Sequence, residues 1–202
     1  GNVCESPTSG TAPALANITT FESLFNGTTA WTTVFGTWAA AADVVSGQTG
    51  NSEGNYLHPV NLANNNYAVE VNFNYRADPV DSLNWAGVIF ARRTSYGNLS
   101  AAHECLFERD NMELQLWKFS SNWSRKNQAV VNTTATNGQW RRIRGYVSGT
   151  TVRCTYLDET GASADISWTD NDVSSTSGFS GRAGFRLYNE AATFHSFVYY
   201  TN

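Results

Sequence analysis

The chain has 202 residues, a formal net charge of −4 and only 15% charged residues, so it offers no concentrated basic face for nucleic-acid phosphates. No run approaches the ~18 apolar residues of a membrane span, and the length suits one large β domain that can bury its own core. Aromatics reach 13%, with seven Trp against one Met, a mix that fits a rigid β protein with a polar, weakly charged exterior.

Residues 1–16 are rich in Ser, Thr, Pro, Gly and Ala and read as a flexible N-terminal leader; residues 17–202 read as a single β-sandwich domain. A Trp-led segment runs from Trp31 to Trp38, followed by Val44–Gln48 and a Gly/Asn loop up to Tyr56. From Tyr67 to Tyr75 the residues alternate, with Tyr67, Val69, Val71, Phe73 and Tyr75 on one face, which predicts a half-buried strand. Trp85–Arg92 is apolar on both faces and predicts a central strand. His103–Arg109 and Met112–Phe119 flank Asp110-Asn111 and predict a hairpin, and residues 129–134 a short strand. Ala39–Ala42 is the only small run with helical character. In the last third, Gln139–Val147 and Thr151–Asp158 flank Ser148-Gly149-Thr150, a hairpin signal because Gly supplies the positive φ of a tight turn. Ser180–Tyr188 and Ala192–Tyr200 close the chain. About a dozen short strands with almost no helical period give an all-β, two-sheet antiparallel sandwich or jelly roll.

The order of a Trp strand (Trp140), a Gly hairpin (Gly149), the Ser180-Gly181-Arg182-Ala183-Gly184-Phe185 strand and an aromatic terminal strand resembles the concanavalin A-like lectin/glucanase superfamily, specifically its laminin-G-like domains. The opening Trp31–Trp38 segment, with its Gly36-Thr37-Trp38, resembles the start of the same domains, so the likeness spans residues 17–202. It implies a jelly roll whose concave sheet carries the 86–92, 103–109 and 112–119 strands. It also implies a glycan as ligand, and calcium as an ion that often braces loops in such domains, with Asp43 and Asn72 as candidate ligands that lack any EF-hand spacing. The fold hosts lectins, hydrolases and lyases alike.

Candidate site residues cluster on the 103–119 hairpin. Leu114 and Leu116 go to one face while Glu113, Gln115 and Trp117 go to the other. An acid, an amide and an indole suit a sugar, whose C–H faces stack on aromatics and whose hydroxyls take paired hydrogen bonds. The same alternation describes an ordinary solvent face. Glu104 and Glu108 lie four apart on one strand with Glu113 across the turn, and a glycosidase would use such carboxylates, Glu108 and Glu113 first, about 5–10 Å apart. The Glu-x-Asp-x-x-Glu pattern of laminarinase-like members is absent: Glu108-Arg109-Asp110 holds only its first part. Non-catalytic binding of a polysaccharide therefore leads, and a glycoside hydrolase or polysaccharide lyase on the same face is the alternative. Arg92 and Arg186 offer planar forks for carboxylates or vicinal hydroxyls, although pairing with Asp or Glu would use them equally well. Arg186 and Tyr188 share a strand face, whereas Arg142, Arg144 and Tyr146 fit either sheet.

Cys105 and Cys154 both fall in predicted strands, as a disulfide or as two buried thiols, and Cys4 lies in the leader. Five Asn-x-Ser/Thr sequons, at Asn17, Asn26, Asn98, Asn122 and Asn132, match the ~4 that composition alone yields, so they permit glycosylation without establishing it. No phosphate loop, nucleophile elbow, dinucleotide fingerprint or zinc spacing is present. The expected partner is a glycan, with no nucleic acid and no membrane insertion, and the expected setting is a secreted or cell-surface monomer or module.

Overall fold

A computed structural model describes residues 17–22, 31–41, 44–49, 52–62, 66–76, 84–92, 102–120, 122–134, 136–171 and 181–201. The expected leader and Cys4 lie outside the described residues. Fifteen strands are described: β1 (Asn17–Glu22), β2 (Thr32–Phe35), β3 (Thr37–Ala41), β4 (Val44–Gln48), β5 (Glu53–Leu62), β6 (Asn66–Tyr75), β7 (Trp85–Arg92), β8 (Ala102–Glu108), β9 (Glu113–Phe119), β10 (Trp123–Val130), β11 (Arg141–Ser148), β12 (Thr151–Asp158), β13 (Ser163–Thr169), β14 (Gly181–Tyr188) and β15 (Ala191–Thr201). Eight form one antiparallel sheet in the order β13-β12-β11-β6-β15-β4-β3, with β1 alongside β15; seven form the other, β10-β9-β8-β7-β14-β5-β2.

The sheets bury their facing sides. Val69, Val71, Phe73 and Tyr75 of β6 meet Val88 and Phe90 of β7, Leu114 and Leu116 of β9, and Phe185 and Leu187 of β14 in one core. Aromatics thread it: Phe185 stacks on Phe194 with ring centroids 4.2 Å apart, and Trp31 stacks on Tyr56 at 5.1 Å and on Phe185 at 5.2 Å. The Trp-led opening segment thus supplies core aromatics, each burying a large apolar area. Cys105 of β8 and Cys154 of β12 are joined by a disulfide that links the two sheets, with Cα atoms 5.6 Å apart.

The 141–158 hairpin forms as expected, with Gly149 at φ 60°. Three expectations need correction. Ala39–Ala41 form a strand, because pairing of β3 with β4 over five residues overrides alanine's helical preference. The strand expected over 129–134 lies earlier, in β10; a bulge between Arg125 and Asn127 breaks the alternation that would have revealed it. The expected loop before Tyr56 is strand from Glu53 onward. Gly54 serves packing there: a Cβ would come within 2.5 Å of Thr49 Cγ2.

Candidate functional site

Because Ala86, Val88, Phe90, Cys105, Phe107, Leu114 and Leu116 face the core, strand alternation turns their neighbours outward from the seven-stranded sheet. The register aligns these outward residues in rows. One row runs Asn55, Arg186, Gly87, Leu106, Gln115 and Gln128, and a second runs Glu53, Tyr188, Trp85, Glu108 and Glu113. A third includes Gly184, Ile89, Glu104 and Trp117. Above these rows lies a groove of about 180 Å³. Trp85, Trp117, Trp123 and Tyr188 line it with aromatic surface, Leu106 adds aliphatic surface, and Arg186, Glu104 and Glu53 supply charge.

Two indoles are held from below by one amide. Trp85 Nε1 donates to Gln115 Oε1 at 3.0 Å, and Trp117 Nε1 donates to the same oxygen at 2.8 Å. Gln115 Nε2 donates to Glu113 Oε2 at 2.8 Å, and Glu113 Oε1 accepts from Gln128 Nε2 at 3.1 Å. With both lone pairs used, Gln115 is fixed in one orientation. The indoles meet edge to face at 6.2 Å, and Trp85 lies 5.1 Å from the Tyr188 ring. Each keeps part of its surface open, the geometry that lets a ring accept the apolar face of a sugar.

The charged part of the groove is a bridge. Arg186 Nε donates to Glu104 Oε1, its second terminal nitrogen lies 3.4 Å from Glu53 Oε1, and its first donates to the carbonyl of Leu187 at 3.0 Å. To reach Glu104 on β8 the Arg186 side chain must cross β7, and it does so beside Gly87, its register partner. A Cβ at Gly87 would sit 2.2 Å from the carbonyl oxygen of Cys105. Burial pushes the Glu104 carboxyl up to about 7; Arg186 opposes the rise and the charge of Glu53 adds to it. Near neutral pH, Glu104 therefore alternates between proton donor and carboxylate.

Glu104, Trp117, Arg186 and Tyr188 line the groove, and Gln115 and Glu113 lie beneath or beside it as supports. Glu108 does not line it: its carboxylate oxygens accept from the backbone nitrogens of Asp110 (3.0 Å) and Asn111 (2.9 Å), capping the β8–β9 turn at 1% exposure. The expected catalytic pair of Glu108 and Glu113 is thus committed to hydrogen bonds within the sheet. The side chain of Arg92 lies outside the described residues. Sequence reasoning missed Trp85, Trp123 and Glu53. Trp85 stood at the head of a strand read as buried on both faces, whereas Gly87 two positions on signalled a close approach. Among the described residues, no group of three or more His, Cys, Asp or Glu side chains converges as a metal site. Asn72, weighed as a calcium ligand, donates to Ser196 at 2.7 Å; Asp43 lies outside the described residues.

No protein-family model matches the sequence, and no curated protein does. Solved structures do match. A Bacillus subtilis protein of unknown function with a galectin-like fold superposes with a TM-score of 0.68 at 13% identity, over 91% of this chain and 95% of that one. The exoplasmic/lumenal domain of VIP36, in a form bound to Ca2+ and Man3GlcNAc, gives 0.64 at 8% identity over 90% of each chain. Lectin UEA-II complexed with galactose gives 0.58 at 10% identity, over 85% of this chain and 92% of its own. These likenesses establish the fold as a concanavalin A-like β-sandwich.

Proposed function

We propose that the protein is an extracellular carbohydrate-binding domain that takes a polysaccharide across the aromatic groove of the seven-stranded sheet. The observation that carries this reading is the pair of indoles fixed by Gln115 beside the Arg186–Glu104 bridge. Sugar C–H faces would stack on Trp85 and Trp117, and ring hydroxyls would bond to Arg186, Glu104 and Glu53. The carbohydrates in the structures of VIP36 and UEA-II support a glycan as the class of ligand. The Trp-strand and Gly-hairpin order supports the laminin-G-like branch of the fold. The Cys105–Cys154 disulfide supports an oxidising, extracellular setting. A glycan array followed by titration of each hit against Trp117→Ala tests the reading. Loss of a stacking aromatic removes on the order of 1–3 kcal/mol, roughly ten- to a hundred-fold in affinity. A variant that stays folded and binds as tightly as the parent overturns it.

One observation favours a second reading, hydrolysis or elimination on the same face. Glu104 titrates near 7 and is bridged through Arg186 to a second carboxylate, Glu53, an arrangement that suits a general acid or base. Glu104→Gln keeps the shape and removes the proton. A binding domain retains affinity in that variant and releases no products in either form, whereas an enzyme using Glu104 binds and ceases to turn over.

A further inference from the structure

The opposite face of the molecule carries a second cleft, of about 300 Å³, on the eight-stranded sheet. The register builds it from three rows of outward residues across β6, β11, β12 and β13: Asn72-Arg142-Leu157-Ser163, Glu70-Arg144-Thr155-Asp165 and Ala68-Tyr146-Arg153-Ser167. Three guanidinium groups from adjacent strands are thereby gathered on one surface of a chain whose overall charge is −4.

The three arginines differ in their commitments. Arg144 donates to Glu70 and, at 2.9 Å, to the Tyr146 hydroxyl, and its guanidinium lies over the rings of Tyr146 (5.6 Å) and Tyr200 (5.5 Å). Arg153 is paired with Asp165. Arg142 is different. Its nearest acid is Glu70, with Nε 4.0 Å from the oxygen that Arg144 already uses, and it makes no hydrogen bond to the described residues. Its side chain is 17% exposed and its nitrogens reach solvent rather than protein acceptors, so its donors are open to a ligand. Three guanidinium groups against two carboxylates, Glu70 and Asp165, leave one positive charge in the cleft. Beside it lie the aliphatic surfaces of Leu157 and Ala164 and the hydroxyls of Thr155 and Ser163.

We propose that this cleft is a second saccharide site, which takes the anionic substituent of an acidic sugar, carboxylate or sulfate, on the fork of Arg142. A planar guanidinium with unused donors matches two oxygens of either group, and the hydroxyl and aliphatic lining matches the sugar ring that carries it. A single uncompensated charge suits one anionic group per site. Nucleic acid and acidic peptide, which present charges in series, would need a longer basic track. The site stands independently of the aromatic groove, being formed by the other sheet.

Calorimetric titration with tetragalacturonate and its methyl ester, and with a sulfated galactan tetrasaccharide and its desulfated counterpart, tests the proposal. The acidic member of at least one pair should bind, its neutral counterpart should bind at least tenfold more weakly, and the pair that responds identifies the anion. Arg142→Gln should weaken that binding about tenfold or more, the scale of one charge-assisted hydrogen bond. Ser163→Glu, which adds a carboxylate at an exposed position in the cleft, should do the same should the arginine variant fold poorly. Trp117→Ala should leave it unchanged. The proposal is overturned if no acidic probe binds, if both cleft variants bind like the parent, if Trp117→Ala abolishes acidic binding, or if hexaglutamate binds equally well.

Discussion

Replacing Gln115 with Leu tests whether the groove is pre-organised or merely aromatic. Leu is close to Gln in size, and position 115 is only 2% exposed, so the change removes hydrogen bonds without opening a large void. Three bonds are lost: those accepted from Trp85 and Trp117, and the one donated to Glu113. Each is worth about 1 kcal/mol net, but both indoles and Glu113 are only half-buried and water can replace part of the loss, so the stability cost should be about 1–2 kcal/mol. The effect on binding should be larger in relative terms. Freed indoles must be ordered again by the ligand, which costs about 0.5–1.5 kcal/mol per side chain, so two of them predict roughly a tenfold fall in affinity. Urea denaturation measures the first quantity, and titration with a glycan found on the array measures the second. Indole N–H resonances of Trp85 and Trp117 should shift in the variant and report the loss of their shared acceptor. Affinity within twofold of the parent, with those resonances displaced, would refute the role given to Gln115.

Stability should also depend on pH through Glu104. Its folded pKa of about 7 lies above the ordinary 4.5, so the native state holds a proton that the unfolded state has released between those values; stability should fall by roughly 3 kcal/mol as pH rises from 4.5 to 7, and Glu104→Gln should flatten that slope in denaturant melts. Asp170 acts in the opposite sense: burial raises its pKa, but hydrogen bonds from His103 (3.0 Å) and Lys118 (2.8 Å) outweigh burial and hold it at about 2, so acid titration below pH ~4 should cost stability that Asp170→Asn does not show. Removing the disulfide as Cys105→Ala/Cys154→Ala should cost about 4 kcal/mol, the chain-entropy value for a 49-residue loop; a melt unchanged under reducing conditions would argue against that bond. Gly87→Ala should destabilise by about 1–3 kcal/mol, since the new methyl meets backbone at 2.2 Å; a neutral melt would show that β7 and β8 can part more easily than their register suggests.

How much of this was legible in the sequence differs between core and surface. Period-2 alternation exposed β6, β9, β11 and β12, because burial on one face enforces it residue by residue. It failed where strands bulge or carry glycine for packing. β10 slips register at Arg125/Asn127, and β5 begins with Glu53-Gly54-Asn55, a triplet that reads as a turn. In β5 the small residue answers to Thr49, just after β4, and Trp38 of β3, which press from the facing sheet, a tertiary demand with no local signature.

The candidate site shows the same division at finer grain. Gln115, Glu113 and Trp117 could be named together because they alternate along one strand. Trp85 could not be joined to them, because its link to Gln115 runs across 30 residues of sequence. Arg186 and Glu104 were both legible as polar residues on strands, yet their pairing spans 82 residues and depends on Gly87 leaving β7 low enough to cross. Sequence alternation supplies the direction of each side chain, and sheet order supplies its neighbours; a site lined from β5, β7, β8, β9, β10 and β14 needs both. The same logic separates the two saccharide surfaces proposed above. Arg186 and Arg142 are equally plausible strand arginines when read alone. Sheet order gives Arg186 two carboxylates in the aromatic groove, and leaves Arg142 beside a Glu70 that already serves Arg144. The first therefore meets a ligand as part of a bridge already held by two carboxylates, and the second is a donor set still open to one.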